Sequence, residues 1–231
     1  MFPLFWPFGE TAKGYREEGY YPEAFINMIA LLGWNPGTEQ EIFSMDELIN
    51  TFSFDRVGKS GSRFDPEKAK WFNHQYLQNK TNNQLALEFR EFLRARGYHD
   101  DIIKLEMLIE LVKERVSFVK DIWDQTDFFF KAPDSYDQEA VKKRWNEDSG
   151  ALLLELRSVL EMEVDFTAAG TESVIKDWIE KNGYNTGAIM NAFRLVIVGA
   201  LKGPHMFDII GWIGKEETLK RIDKGVTQLS K

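Results

Sequence analysis

Apolar positions along the chain recur every three or four residues and nowhere alternate long enough to make a strand. Pro22 to Leu32 predicts a helix, with proline at its first position and Gly33 as its stop. Ala24, Ile26, Ile29, Ala30 and Leu32 are its expected buried face. Trp34-Asn35-Pro36-Gly37 reads as a turn. Ser44 to Glu47 and Thr81 to Gln84 have the form of capping boxes. The first opens a short helix through about Phe52, and the second a helix to Arg96 that stops at Gly97. Between them, Asp65 caps a helix with Pro66 in its first turn, carrying Lys68, Lys70, Trp71, Asn73 and Tyr76. Asp100 opens a long amphipathic helix with Ile102, Leu105, Leu108, Ile109, Val112 and Val116 on one stripe and Arg115 near its C-terminal end. Ser117 to Ile122 continues or restarts it, and an aromatic cluster, Phe128-Phe129-Phe130, follows. Ala132-Pro133-Asp134 is a break. Helices follow over Gln138 to Trp145, Ser149 to about Met162, and Thr171 to Lys181, the last closed by Gly183.

Thr186 begins a helix that is apolar apart from Arg194 and runs into the turn Leu201-Lys202-Gly203-Pro204. A second short apolar helix, a stop at Gly214 and a charged last helix complete the chain. Arg194 supports two readings. Its stem packs at the rim of the core with its head in water, or its planar fork of donors stands beside a tight turn, suited to a nucleobase or a carboxylate. The pattern as a whole predicts an all-α fold of about ten helices in two packed clusters, with a short irregular N-terminal arm.

Composition narrows the chemistry. The 231 residues include no cysteine, which excludes disulfides, iron–sulfur clusters and thiol nucleophiles. The formal net charge of −8 argues against wholesale nucleic-acid binding but leaves room for a local basic strip. MFPLFWPFGE is a poor signal peptide, and no apolar run reaches transmembrane length. Its Phe and Trp residues call for a covering partner. Gly58-Lys59-Ser60 lacks the first glycine of a phosphate-binding loop, since Ser53 stands there. The loop Asp55 to Phe64 still carries Arg56, Lys59 and Arg63, and it is either a phosphate contact or a solvated loop. His74, His99 and His205 have no metal-ligand spacing, and His74 reads as a packed surface residue. No nucleophile–base set is evident. What remains is a scatter of cations and aromatics at helix ends and turns: Lys59, Arg63, Lys68, Trp71, Arg115, Arg194 and the Gly203-Pro204 turn. These are tools for reading unstacked RNA bases, and they are equally common as rim residues.

Three separated stretches carry a resemblance. They are Gly14 to Gly37 (GYREEGYYPEAFINMIALLGWNPG), Phe64 to Leu77 (FDPEKAKWFNHQYL), and the pattern R-x-x-x-x-G-x-x-x-G-P-x-x-F-D from Arg194 to Asp208, followed by Ile213-Gly214-Lys215-Glu216. In this order they resemble the C-terminal half of bacterial-type glutamyl-tRNA synthetases. The HIGH-type and KMSKR-type ATP-binding motifs of that family do not occur. The resemblance implies a fragment without the catalytic domain and inactive alone, holding no cofactor, with ATP and Mg acting in the missing domain. It implies residues 1–78 as arm and stem-contact region, 79–131 as the first helical lobe of an α-helical cage that binds the anticodon, and 132–231 as the second. Lys68 and Trp71 fall where the family touches the tRNA stem, and Lys59 and Arg63 add plausible phosphate contacts. Arg115 matches the arginine that reads the third anticodon base, which separates glutamate from glutamine tRNA. Arg194 matches a second anticodon-side arginine, and Gly203, Pro204 and Met206 fall on the loop that meets the splayed bases. Gly203 and Val198 stand where some relatives carry threonine. The implied partners are tRNA(Glu) and the enzyme's own N-terminal catalytic domain, in a cytoplasmic monomer with no membrane contact. The rival reading is a helical protein–protein interaction module, to which the negative charge is friendlier.

Overall fold

The computed structural model describes residues 4–5, 11–12, 14–59, 61 and 63–230, with side chains from 14 onward. Most of the expected irregular arm, and Ser60 of the Gly58-Lys59-Ser60 run, lie outside these residues. Within the arm, Leu4–Phe5 (β1) pairs antiparallel with Thr11–Ala12 (β2). The rest is helical. Twelve α-helices occur among the described residues, against the ten or so expected, in two compact units, Met1–Asp124 and Gln125–Lys231.

In the first unit a short helix, Tyr15–Glu18 (α1), precedes Pro22–Gly33 (α2). The inward face of α2 is not the expected one. Ala24, Asn27 and Met28 are buried, whereas Ile26 and Ile29 are 45% and 49% exposed. The cause is Asn27, whose Nδ2 donates to Glu41 O at 3.0 Å while its Oδ1 accepts from Phe43 N at 2.8 Å and from the Tyr76 hydroxyl at 2.7 Å. A fully satisfied amide is stable inside, and it rotates the helix away from the face that hydrophobicity alone would select. Burial pushes the Tyr76 hydroxyl up to about 12, so it stays a donor at neutral pH.

Met45–Thr51 (α3) opens on the Ser44 capping box, with Glu47 N donating to Ser44 Oγ at 3.2 Å and Ser44 N donating to Glu47 Oε2 at 2.7 Å. Asp65 accepts from Glu67 N and Lys68 N to start Pro66–Asn79 (α4). Thr81 and Gln84 form the second box, starting Asn82–Arg94 (α5). This helix stops two residues before the expected Arg96 and turns through Gly97 at φ 80°. Asp101, one residue later than expected, caps Ile102–Val112 (α6). The α-helix then ends at Val112, and Lys113–Arg115 forms a 3₁₀ turn. Arg115 therefore sits in a turn rather than on the helix. Val119–Phe130 (α7) restarts, its entry held by Asp121, whose carboxylate accepts from Ser117 N and Phe118 N at 3.0 Å each. Leu85, Phe89 and Leu93 of α5 and Leu105, Leu108 and Ile109 of α6 are fully buried, and the two helices pack together. Each such side chain contributes about 1.5–3 kcal/mol of burial.

The second unit continues with Gln138–Arg144 (α8), Ser149–Met162 (α9) and Ala168–Asn182 (α10). The last begins three residues before the expected Thr171, because Thr167 is its cap and accepts from Gly170 N. Thr171 is buried within it and turns its hydroxyl back onto Thr167 O. Thr186–Val198 (α11) is capped by Asn185 and closes at Gly199, φ 85°. Met206–Leu229 (α12) is two helical halves, since Gly214 adopts φ 79°, ψ 173° between them. Beside this break Lys215 donates to Glu163 O at 2.9 Å, tying α12 to the end of α9. The Ile213-Gly214-Lys215-Glu216 run thus marks a bend and its anchor. α12 packs against α9, α10 and α11 around a core that includes Leu156, Phe193, Leu195, Ile210 and Ile222.

Candidate nucleic-acid interface

Of the two arginines expected on the anticodon side, Arg115 lies in the first unit and Arg194 in the second. In the first, Arg115 is exposed, and no hydrogen bond or ion pair reaches its side chain among the described residues. Its backbone is fixed instead by α4. His74 Nδ1 bonds Val116 O at 2.8 Å, Asn73 Nδ2 donates to Ser117 O at 2.6 Å and Gln78 Nε2 donates to Lys113 O at 2.7 Å. A carbonyl only accepts, so the first bond places the His74 proton on Nδ1. Asn73 Oδ1 in turn accepts from Tyr21 N at 2.8 Å. The Val116 side chain is fully buried and anchors the far end of the turn. His74 and Gln78 lie four residues apart on one face of α4, so the helix presents a short row of donors to carbonyls that lie beyond the α6 ladder.

The expected stem-contact cations differ in state. Lys59 and Arg63 are exposed and reach no partner among the described residues, whereas Arg56 of the same loop donates to Pro36 O. Lys68 pairs with Glu41 at 2.6 Å, both side chains about half exposed. Such a pair contributes about 0–1 kcal/mol, so exchanging Glu41 for a phosphate costs little. Arg63, Asp65 and Lys68 edge a hollow of about 260 Å³ floored by Met28, Leu31 and Phe72. Trp71 is 39% exposed and stands edge-on to Phe72, with centroids 5.0 Å apart.

In the second unit Arg194 is half-buried, and its Nη1 donates to Lys202 O and to Pro204 O, both at 2.9 Å. Burial lowers its pKa from the ordinary arginine value. The guanidinium holds the Gly-Pro turn by its backbone. Pro204 is buried and Met206 is 2% exposed, so neither side chain faces outward as a base contact would require. The exposed part of the loop is Leu201, Lys202 and His205. Gly203 adopts φ 98°, and a Cβ there would meet Phe128 Cζ at 2.8 Å. The threonine of some relatives does not fit over this ring. Gly203→Ala is expected to cost about 1–3 kcal/mol through the left-handed backbone and the clash. A thermal melt checks this, and an unchanged midpoint would show that the loop relaxes freely.

Beneath this loop lies a residue that sequence reasoning missed. Arg221 is 2% exposed, and its Nη1 donates to Phe128 O at 2.6 Å and Ile197 O at 3.1 Å, while its Nε donates to Glu217 Oε1 at 2.8 Å. The available signal was the Glu217–Arg221 spacing of four on a helix, which points only to a surface pair. Among the described residues no group of three or more His, Asp or Glu could hold a metal ion, and no helix is long and apolar enough to cross a membrane.

Comparison with known proteins places this geometry. The family described as "Anticodon binding domain" matches residues 83–226, and "tRNA synthetases class I (E and Q), catalytic domain" matches 9–71. A glutamate–tRNA ligase of Flavobacterium johnsoniae is 50% identical over 99% of this chain and 46% of its own length. One of Porphyromonas gingivalis is 51% identical over 99% of the chain and 46% of its length. The crystal structure of a glutamate tRNA ligase from Elizabethkingia meningosepticum, in complex with its amino acid, superposes with a TM-score of 0.88 at 46% identity, covering 96% of this chain and 44% of that one. The chain spans about half the length of the curated relatives it matches. These matches favour the synthetase reading over a protein–protein interaction module. With 144 of its residues inside one family match, the chain belongs to the anticodon-binding-domain family and corresponds to the C-terminal part of glutamate–tRNA ligases.

Proposed function

We propose that this chain binds tRNA(Glu) and recognises its anticodon as part of a glutamate–tRNA ligase. The observation that carries this reading is Arg115, a bare guanidinium on a turn held by three side chains of α4. Arg115 donates to the third anticodon base. Arg194 shapes the Lys202–Pro204 loop, which meets the splayed bases through its exposed residues and backbone, with Gly203, Pro204 and Met206 setting its path. Lys59, Arg63 and Lys68 contact phosphates of the stem, and Trp71 offers the edge of an indole beside them. Residues 1–78 serve as arm and stem-contact region, 79–131 as the first lobe and 132–231 as the second. The whole ligase attaches glutamate to its tRNA with ATP and Mg, chemistry for which these residues supply binding alone. The enzyme's N-terminal catalytic domain is the second partner, and the protein works as a cytoplasmic monomer.

Binding of a tRNA(Glu) transcript across a potassium chloride series tests this. Three phosphate contacts predict a log–log slope of roughly −2 to −3, hence about a fifteenfold to sixtyfold loss of affinity between about 50 and 200 mM salt. Lys59→Gln with Arg63→Gln is expected to flatten the slope by about 1.5–2. Salt-independent binding would defeat the phosphate assignment.

A further inference from the structure

We infer that His74, with Gln78, is a positioning residue for Arg115, setting where its guanidinium stands against the third anticodon base. This rests on the reading of Arg115 as the base reader. The Lys113–Arg115 turn scarcely holds itself. Its own closing bond, Val116 N to Lys113 O, is 3.4 Å long, at the weak end of the range. The carbonyls of Lys113, Val116 and Ser117 lie between the end of α6 and the start of α7, where no helix ladder continues. Each of them takes a donor from α4 instead.

His74 has the most direct hold. It bonds the carbonyl of the residue immediately after Arg115, and that residue's side chain is fully buried. The Val116 backbone is thus fixed from two directions, and the Arg115 Cα with it. Gln78 fixes Lys113, two residues before Arg115. Asn73 also carries Tyr21 N, so its loss would loosen α2 as well as the turn. Among the described residues neither His74 nor Gln78 makes a second side-chain hydrogen bond, which makes them the informative positions. A base edge read by a fork of donors tolerates misplacement of only about 0.5 Å. Phosphate contacts elsewhere on the chain tolerate more. Loosening the turn should therefore erode discrimination between bases before it erodes binding.

The test uses the 231-residue chain and two tRNA(Glu) transcripts that differ only in carrying cytosine or guanine at the third anticodon position. The ratio of their Kd values is read for wild type, His74→Ala, His74→Asn, Gln78→Leu, Arg115→Gln and the His74→Ala/Arg115→Gln pair, with a thermal melt of each. His74→Ala and Gln78→Leu are expected to lower the ratio by about threefold to tenfold, the worth of one hydrogen bond. His74→Asn, whose Nδ2 stands near the position of the imidazole Nδ1, is expected to restore it. The double variant should show the same ratio as Arg115→Gln alone, because a positioning residue has no effect once its target is gone. A His74→Ala or Gln78→Leu chain that melts lower but keeps the wild-type ratio overturns the inference and leaves the Arg115 reading standing. An unchanged ratio in Arg115→Gln overturns that reading and the inference with it. Should His74→Ala fail to fold, Gln78→Leu decides alone, since it removes a single donor from the same turn.

Discussion

Arg115→Gln is expected to remove most of the preference for cytosine over guanine at the third anticodon position while leaving the fold intact. The unstacked Watson–Crick edge of cytosine offers two adjacent acceptors, N3 and O2. Guanine offers two donors at the matching place, N1–H and the exocyclic amine. A guanidinium is a donor only, so it makes two charge-assisted bonds to cytosine and faces donors on guanine. Leaving those donors unpaired in a partly dry contact costs about 1–3 kcal/mol, a factor of roughly ten to a hundred. Glutamine carries both an acceptor and a donor, so it accommodates either base. The Arg115 side chain is exposed and makes no hydrogen bond or ion pair among the described residues, so its loss should move stability by less than about 0.5 kcal/mol. The measurement is the Kd ratio for the two transcripts, with circular dichroism and a melt as controls. Equal discrimination in variant and wild type would defeat the assignment.

Much of this fold is legible because helix ends are local. Ser44, Asp65 and Thr81 each bond amides within three residues, so the sequence alone contains the whole interaction. Gly214 is readable as a stop for the same reason. The inward face of α2 was not readable, because Asn27 is stabilised by backbone groups more than a dozen residues away. The position of Arg115 failed in the same manner. Val116 continues the apolar stripe of α6, yet the helix gives way at Lys113, where Gln78, thirty-five positions earlier, takes the carbonyl. Arg194 answers to neither of its two sequence readings alone, since it is half-buried and turned onto the carbonyls of its own following loop. The family signatures carried the resemblance without showing these links. Asn73 and His74 lie inside the Phe64 to Leu77 signature, and their targets lie more than forty residues beyond.

Arg221→Met is expected to be the most destabilising single change in the second unit, at about 2–4 kcal/mol. Arg221 is wholly buried, and its bonds satisfy the carbonyls of Phe128 in the last turn of α7 and Ile197 near the end of α11. Methionine fills much of the volume but donates nothing, leaving two buried carbonyls at about 1–3 kcal/mol each, part of it recovered by relaxation. The freed Glu217 adds little, because it is 31% exposed and can be hydrated. At about 2–4 °C per kcal/mol for a chain of this size, the midpoint should fall by roughly 4–16 °C. Glu217→Gln should cost under about 1 kcal/mol, which separates the carbonyl bonds from the ion pair. The damage should also reach the Leu201–Pro204 loop of this unit by a short route: Arg221 holds the Phe128 backbone, the Phe128 ring fills the space under Gly203, and Gly203 lies between the two carbonyls that Arg194 grips. Hydrogen exchange at Lys202 and Gly203 should therefore quicken in Arg221→Met more than at the Gly183 turn. A melt within about 1 kcal/mol of wild type, with loop exchange unchanged, would show that neither carbonyl depends on the guanidinium.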